Sequence, residues 1–154
     1  MEEIKSQRKP TPFPQANDLN KIVSILRLEQ DNLFSDDFLI QNLKISKRQI
    51  HYYISACVFL DYLDEKRVFT KSGKKFRNLG NEGSILNLAQ QIISNPVFGE
   101  VFFNQFLFGD EMNNDDISDL ISINFGVTNE SVAKRRSSTV KRWISWIFNK
   151  KITK

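Results

Sequence analysis

The sequence predicts a mainly α-helical protein with a short β wing, in which two helix-turn-helix units follow each other along the chain. Two stretches predict this fold class. Residues 46–63 begin with a serine that can cap a helix and continue with a basic turn and an apolar stripe, and residues 128–148 repeat that order. Each stretch follows a predicted short helix and a tight turn, which is the arrangement of a helix-turn-helix motif.

The composition is that of a folded protein with one domain of ordinary size or two small ones. Of the 154 residues, 40% are hydrophobic and 26% are charged. No apolar run approaches the roughly 20 residues that span a bilayer, and the N-terminus shows no apolar signal segment. We therefore expect a cytoplasmic protein without a membrane partner.

Local composition divides the chain into an arm and two domains. Residues 1–16 contain Pro10, Pro12 and Pro14 beside basic residues, which predicts a flexible arm. Residues 81–83 combine glycine with polar residues between two periodic segments, which predicts a linker. The first domain is therefore expected at residues 17–80 and the second at residues 84–154.

Three capped helices are expected in the first domain. Asn17 or Asp18 can cap the first helix, and Ser35 can cap a short second one. Ser46 can cap the third helix, with Gln49 three residues later as its capping-box partner. These three helices would form the first helix-turn-helix core.

A wing is expected after the third helix. Residues 68–70 have the composition of a short strand, and Gly73 suits a turn or an early helix position. A hairpin here would place Lys66, Arg67 and Lys71 beside the third helix, where they could reach neighbouring phosphates.

The second domain is expected to begin with an apolar segment at residues 85–93, which is broken at Asn95-Pro96 and resumes as an aromatic helix at residues 97–108. This helix is too apolar to be exposed all round, so it could form the core of the second domain, a dimer interface, or both. Residues 115–124 predict a further helix that Gly126 closes, and Thr128 can cap the last helix.

Basic residues are concentrated on the two corresponding stretches. The formal net charge is only +4 with a pI near 9.2, so the distribution of charge is more informative than its total. After Glu130 the sequence has eight basic residues and no acidic one, and a second basic run covers residues 44–77. Two such runs favour a nucleic-acid partner over two ordinary solvated surfaces.

No catalytic or metal-binding pattern is recognisable. One histidine, His51, and one cysteine, Cys57, are too few ligands for a structural zinc site, and no nucleophile elbow or serine triad is recognisable. Asp115 and Asp116 are neighbours at a predicted helix start, where they favour the helix dipole. Cys57 has apolar neighbours and is expected to be a buried, inert thiol. We therefore expect no enzyme activity, no metal and no cofactor.

The first stretch resembles a winged-helix pattern with an Arg-Gln-aliphatic step, paired tyrosines, a small-residue turn, an aromatic-leucine step and a Thr-x-x-Gly wing exit. These elements are Arg48-Gln49-Ile50, Tyr52-Tyr53, Ser55-Ala56, Phe59-Leu60 and Thr70 to Gly73. Downstream, NPVFGEVF and SVAKRRSSTVKRWISWI resemble the second half of tandem winged-helix modules fused to, or encoded beside, restriction-type endonucleases. The resemblance covers nearly the whole chain after residue 16. We recognise no nuclease domain within these 154 residues, so the chain could be a cut-out domain, a partner subunit or a free-standing regulator.

The resemblance implies two winged-helix units in tandem that bind duplex DNA in a restriction-modification system or in transcription regulation. The implied DNA contacts are Lys47, Arg48, Gln49, His51 and Tyr52 in the first unit and Ser131, Lys134, Arg135, Ser137 and Ser138 in the second. Arg48 and Arg135 could read guanine and Gln49 adenine. Phosphate contacts are expected from Lys66, Arg67, Lys71, Lys74 and Lys141. Double-stranded DNA is then the main partner, with a second copy, a nuclease or a methyltransferase as a further one.

Two other functions are compatible with the sequence. The chain could be a helical adaptor that docks a partner protein through residues 97–108 and the Trp143/Trp146 pair. It could also bind single-stranded nucleic acid through exposed aromatic residues such as Tyr52 and Tyr62. His51 could contact a phosphate or a base edge, or be an ordinary surface histidine.

Overall fold

The computed structural model describes residues 13–150. In that range the chain forms α-helices joined by short connections, together with one 3-10 helix. The helices are α1 (Leu19–Leu26), the 3-10 helix (Gln30–Phe34), α2 (Asp36–Leu43), α3 (Lys47–Phe59), α4 (Lys71–Arg77), α5 (Asn81–Ile93), α6 (Pro96–Phe108), α7 (Asn114–Phe125) and α8 (Glu130–Asn149). None of the helices in this range is long and apolar enough to cross a membrane.

The predicted β wing is wrong, and with it the winged-helix fold class. The described residues contain no strand, and a single antiparallel bridge between Leu63 and Phe69 stands where the hairpin was expected. The Asp64 carboxylate accepts hydrogen bonds from the backbone of Lys66 and Val68, which closes a tight turn. The Thr70 hydroxyl then caps α4 by accepting from the Gly73 N–H, so the chain enters a helix where the wing would continue.

The three helices of the first unit agree with the sequence prediction. Asp18 caps α1, and Ser35 caps α2 by accepting from the Phe38 N–H. Ser46 caps α3 in a complete capping box with Gln49. Helix α1 packs against α2 and α3, and α2 packs against α3. The three helices therefore form a compact trihelical unit.

The second unit repeats this mutual packing with α6, α7 and α8. Pro96 occupies the first turn of α6, and Gly126 ends α7 in the left-handed conformation at φ 65°. The predicted cap of α8 is corrected by one residue, because Asn129 rather than Thr128 accepts the hydrogen bond from the Val132 N–H. Asparagine is among the strongest helix caps, so this shift has a local reason.

Part of the predicted N-terminal arm belongs to the core. Phe13 and Ala16 are buried, and the Trp143 indole N–H donates to the Ala16 carbonyl oxygen at 2.8 Å. The Phe13 ring stacks on Phe98 with 5.6 Å between centroids and meets the edge of Phe125 at 5.1 Å. The rest of the predicted arm, residues 1–12, lies outside the described residues.

The predicted linker at residues 81–83 is the first turn of α5, which follows Gly80 as its N-cap. Helix α5 packs against α4 on one side and α6 on the other. Buried hydrophobic residues from both sides of this point form one continuous cluster. The two trihelical units therefore share their core, and the division into two domains stays a prediction.

Candidate nucleic-acid interface

The first turns of α3 present an exposed basic surface. Lys47, Arg48 and His51 are exposed, and the first turn of α3 contains no acidic residue. The Arg48 Nε–H donates to the Tyr52 hydroxyl at 3.2 Å, which orients both side chains. The Gln49 side-chain oxygen accepts from the Ser46 N–H, so the capping box holds this side chain against the start of the helix. Of the predicted contacts on α3, Gln49 is thus the most constrained.

The N-terminal half of α8 also carries predicted contact residues on its surface. Ser131, Arg135 and Ser138 are exposed, and Lys134 forms an exposed ion pair with Glu130 at 3.6 Å. Lys141, one helical turn beyond Ser138, is half-buried.

Ser137 is not part of this surface. Its side chain is fully buried, and its hydroxyl donates to the Lys134 carbonyl oxygen at 2.7 Å. A ligand on the outside of α8 would therefore meet Ser138 but not Ser137.

A cleft of about 270 Å³ lies between α8 and the segment before α1. It is lined by polar and cationic groups from both elements. The lining residues are Gln15, Asn17, Val132, Arg135, Arg136, Ser138 and Thr139. The Thr139 hydroxyl donates to the Asn17 side-chain oxygen at 2.9 Å and holds the two walls together. Asn17 also lines a more open cleft of about 470 Å³ beside Lys141 and Arg142, so the basic surface continues along α8.

Arg136 is the site residue that sequence reasoning missed. Its guanidinium lies 5.6 Å from the centre of the Phe13 ring. Burial lowers the pKa of Arg136, and the neighbouring charge of Arg135 lowers it further. The Arg135-Arg136 pair was visible in the sequence, but the burial of one of its members depends on Phe13, which is more than a hundred residues away.

The side chains predicted to form a wing have other roles or positions. Arg67 adopts a positive φ of 65°, pairs with Asp36 at 2.7 Å and donates to the Leu33 carbonyl oxygen at 3.1 Å. It therefore tethers the turn to α2 and the 3-10 helix. Lys71 and Lys74 are exposed on α4, whose helix contacts are with α1 and α5. Lys66 is exposed in the turn.

Aromatic residues join α3 to α8. Phe59 and Trp143 meet with 6.4 Å between ring centroids, and Phe13 contacts Phe59 at 6.2 Å while lying under Arg136. On α3, Arg48 precedes Phe59 by about three helical turns, so both lie on one face. On α8, Arg136 precedes Trp143 by about two turns. The two helices thus meet at these aromatic side chains, and the basic half of each helix lies N-terminal to the contact.

Two aromatic residues expected to face a partner are buried. Trp143 has no exposed surface, so the predicted docking pair is reduced to Trp146, whose indole N–H donates to the Asn20 side chain at 3.0 Å. Tyr62 is also fully buried and donates to the Asn87 side-chain oxygen at 2.6 Å. Of the two tyrosines proposed for base stacking, only Tyr52 has accessible surface.

Cys57 and the neighbouring carboxylates Asp115 and Asp116 lie where their burial or their helix explains them. Cys57 is buried as expected, and burial raises the pKa of its thiol to about 12, which makes it a poor nucleophile. Asp115 and Asp116 lie in the first turn of α7, which Asn113 caps. Residues 13–150 contain no group of three or more histidine, cysteine or carboxylate side chains that could hold a metal ion.

Comparison with known proteins gives a family for the chain. Residues 21–152 match the model of a domain of unknown function, DUF7226. Searches of curated proteins and of solved structures returned no match. Because the matched segment covers most of the sequence, the chain belongs to the DUF7226 family.

Proposed function

We propose that the chain is a non-enzymatic duplex DNA-binding protein that uses the basic halves of α3 and α8. The charge distribution of α8 carries this proposal. Glu130 begins the helix, and the five later charged residues through Asn149 are all cations, namely Lys134, Arg135, Arg136, Lys141 and Arg142. A helix whose charged residues after its first turn are all cations attracts the phosphate backbone of DNA.

The cleft beside Arg135 and Arg136 suits a phosphate group. Guanidinium groups bind phosphate oxygens through paired N–H donors, and Ser138 and Asn17 add further polar groups to the same cleft. Arg136 is partly desolvated and repelled by Arg135. A bound anion would offset both effects, so this position favours phosphate more than an ordinary surface arginine does.

Helix α3 is the better candidate for reading bases. Its capped N-terminus presents Lys47, Arg48 and Tyr52 within two turns, and recognition helices contact bases with their first turns. Arginine is the usual partner of guanine in the major groove. A duplex is the favoured substrate because the burial of Tyr62 removes one of the two stacking residues that a single strand would need.

Salt-dependent binding tests the proposal. Fluorescence anisotropy with a labelled duplex should show affinity that falls linearly on a log–log plot against salt concentration. Arg135→Ala should weaken binding and reduce the slope by about 0.9, the contribution of one phosphate. Absence of duplex binding at low salt, or binding without a salt slope, contradicts the proposal.

Two further variants separate base reading from phosphate contact. Arg48→Ala is expected to reduce the preference between a selected duplex and a scrambled one, at a cost of about 1–3 kcal/mol for the selected sequence. Lys75→Ala removes an exposed cation of the basic run at residues 44–77 and should weaken both duplexes alike, because a lysine on this surface of α4 would contact phosphate and not bases. Equal losses on both duplexes for Arg48→Ala would assign that residue to the backbone.

A further inference from the structure

The C-terminal end of α6 exposes an unusual amount of apolar surface. The exposed fraction is 49% for Phe103, 56% for Phe106, 66% for Leu107 and 72% for Phe108. We call these four residues the α6 ridge. Large aromatic and aliphatic side chains each carry about 150–250 Å² of surface, so the α6 ridge leaves on the order of 400–500 Å² of apolar area in water. That is comparable with the largest apolar patch of a typical monomeric protein.

An apolar groove runs beside the α6 ridge. It has a volume of about 170 Å³ and is formed by side chains of α5, α6 and α8. Phe102 forms its floor, with its ring nearly parallel to Phe106 at 5.8 Å and to Phe148 at 5.1 Å. On the α5 side the groove is bordered by Leu86, which is 46% exposed. Because Phe106 belongs to both features, the groove adjoins the side of the α6 ridge that holds Phe106 and Phe103. Phe108 lies about 200° around the helix from Phe106 and is therefore at the edge of this face.

We propose that this face binds a second copy of the chain across a two-fold axis. A two-fold interface must be self-complementary, and a protruding ridge next to a groove on the same face meets that requirement. The exposed apolar side chains beside the groove, Phe103, Phe106, Leu107 and Leu86, would form the core of an interface of the usual size, about 800 Å² on each partner.

The charges around this face also fit a second copy. The α5 and α6 helices contain only two charged residues, Glu82 and Glu100, so two copies with a net charge of +4 can approach here without strong repulsion. Asp110 and Glu111 follow the α6 ridge, and Lys150 follows Phe148 at the other side of the groove. In a two-fold arrangement the acidic end of one ridge can meet the basic end of the partner's groove.

The proposed dimer face and the basic cleft lie at different places on α8. Phe148 follows Arg136 by twelve residues, or about 18 Å along the helix. Dimerisation through the groove therefore leaves Arg135 and Arg136 accessible, and it would bring two basic surfaces into one assembly. The dimer does not depend on DNA binding, so each can fail without the other.

The experiment compares two phenylalanines of similar exposure. Sedimentation equilibrium of the full chain over a wide concentration range should show a monomer–dimer equilibrium. Phe106→Asp should weaken dimerisation at least about tenfold, because it places a charge in the apolar interface. Phe34→Asp is the matched control, since Phe34 is 53% exposed but lies on the 3-10 helix. Circular dichroism checks that both variants are folded.

Three outcomes overturn the dimer. They are a wild-type chain that stays monomeric at every concentration, a Phe106→Asp variant that dimerises as well as wild type, and a Phe34→Asp variant that dissociates to the same extent as Phe106→Asp. If the wild-type chain is monomeric, the α6 ridge would have to bind a different protein and not a second copy. Leu107→Asp repeats the test at a neighbouring position, and its failure to weaken the dimer would also count against the proposal.

Discussion

The two trihelical units differ in how their last helices are used. In both units three helices pack against one another, and a short turn joins the last two. That turn begins with a left-handed residue, Lys44 at φ 54° in the first unit and Gly126 at φ 65° in the second. Helix α3 has 13 residues, whereas α8 has 20. The longer helix carries the basic cleft on its first half and borders the apolar groove with its last turns.

This difference shows that similar local patterns do not produce equivalent surfaces. After α3 the chain turns back at Leu60 and continues into α4, so the accessible part of α3 is mainly its first two turns. The α8 helix is held at mid-length by Trp143, which contacts Phe98 within its own unit and Phe59 of the first unit. We therefore expect α3 to offer a ligand only its first two turns, whereas α8 also connects the two units through Trp143.

The largest effect is expected from Trp143→Ala. Trp143 is fully buried and donates to the Ala16 carbonyl oxygen, so truncation leaves a large cavity and an acceptor without its partner. The free energy of unfolding should fall by about 3–5 kcal/mol, as measured by urea denaturation. Since Trp143 contacts both units, the unfolding transition should remain single and shift as a whole.

Trp146→Ala is the control for this variant. It removes the same kind of side chain from a half-exposed position and should cost less. Two separate transitions, with only one displaced by Trp143→Ala, would mean that the units unfold independently and that their shared core contributes little to coupling.

Local signals explain what the sequence predicted correctly. The caps Asp18, Ser35 and Ser46 and the helix end at Gly126 depend on neighbours within a few residues, and the structure confirms each of them. Cys57 was also expected to be buried, because its neighbours on the helix are apolar.

Features that depend on distant contacts were not predictable in the same way. Phe13 is in a proline-rich segment, yet it is buried because Phe59, Phe98 and Phe125 surround it. At the predicted wing, Asp64 and Thr70 form a local turn that leads into α4, and Arg67 holds this turn by pairing with Asp36, more than thirty residues away. At the candidate interface, the sequence identified Arg135 but gave no sign that Ser137 points into the core.

A medium effect on stability is expected at α4, the helix that follows the first trihelical unit and has no counterpart after the second in the described residues. A Cβ atom added to Gly73 would overlap the carbonyl oxygen of Tyr62 and crowd the Phe69 ring. Gly73→Ala should therefore lower the free energy of unfolding by about 1–3 kcal/mol. Gly83 in α5 has only ordinary contacts with Leu79 at 3.6 Å, so Gly83→Ala should be neutral or stabilising by about 0.5–1 kcal/mol. Thermal or urea unfolding of both variants measures the difference, and a tolerated Gly73→Ala would show that α4 can move away from Tyr62.

The smallest changes in stability are expected at the N-caps of α3 and α8. Variants at these two positions also compare the two helices as DNA contacts. Ser46→Ala should cost about 1 kcal/mol of unfolding free energy, because the Gln49 N–H loses its acceptor. Ser46→Asp retains an acceptor and should preserve stability, but its negative charge at the start of α3 should repel a DNA phosphate. Asn129→Asp makes the same change at the start of α8.

If both helices insert their first turns into DNA, both aspartate variants should lose affinity in the anisotropy assay while urea unfolding stays unchanged. A loss confined to Ser46→Asp would instead indicate that α8 binds through its middle, at Arg135, Arg136 and Lys141. Unchanged affinity in Ser46→Asp would exclude the first turn of α3 from the interface, because a carboxylate so close to a phosphate cannot be neutral in its effect at low salt.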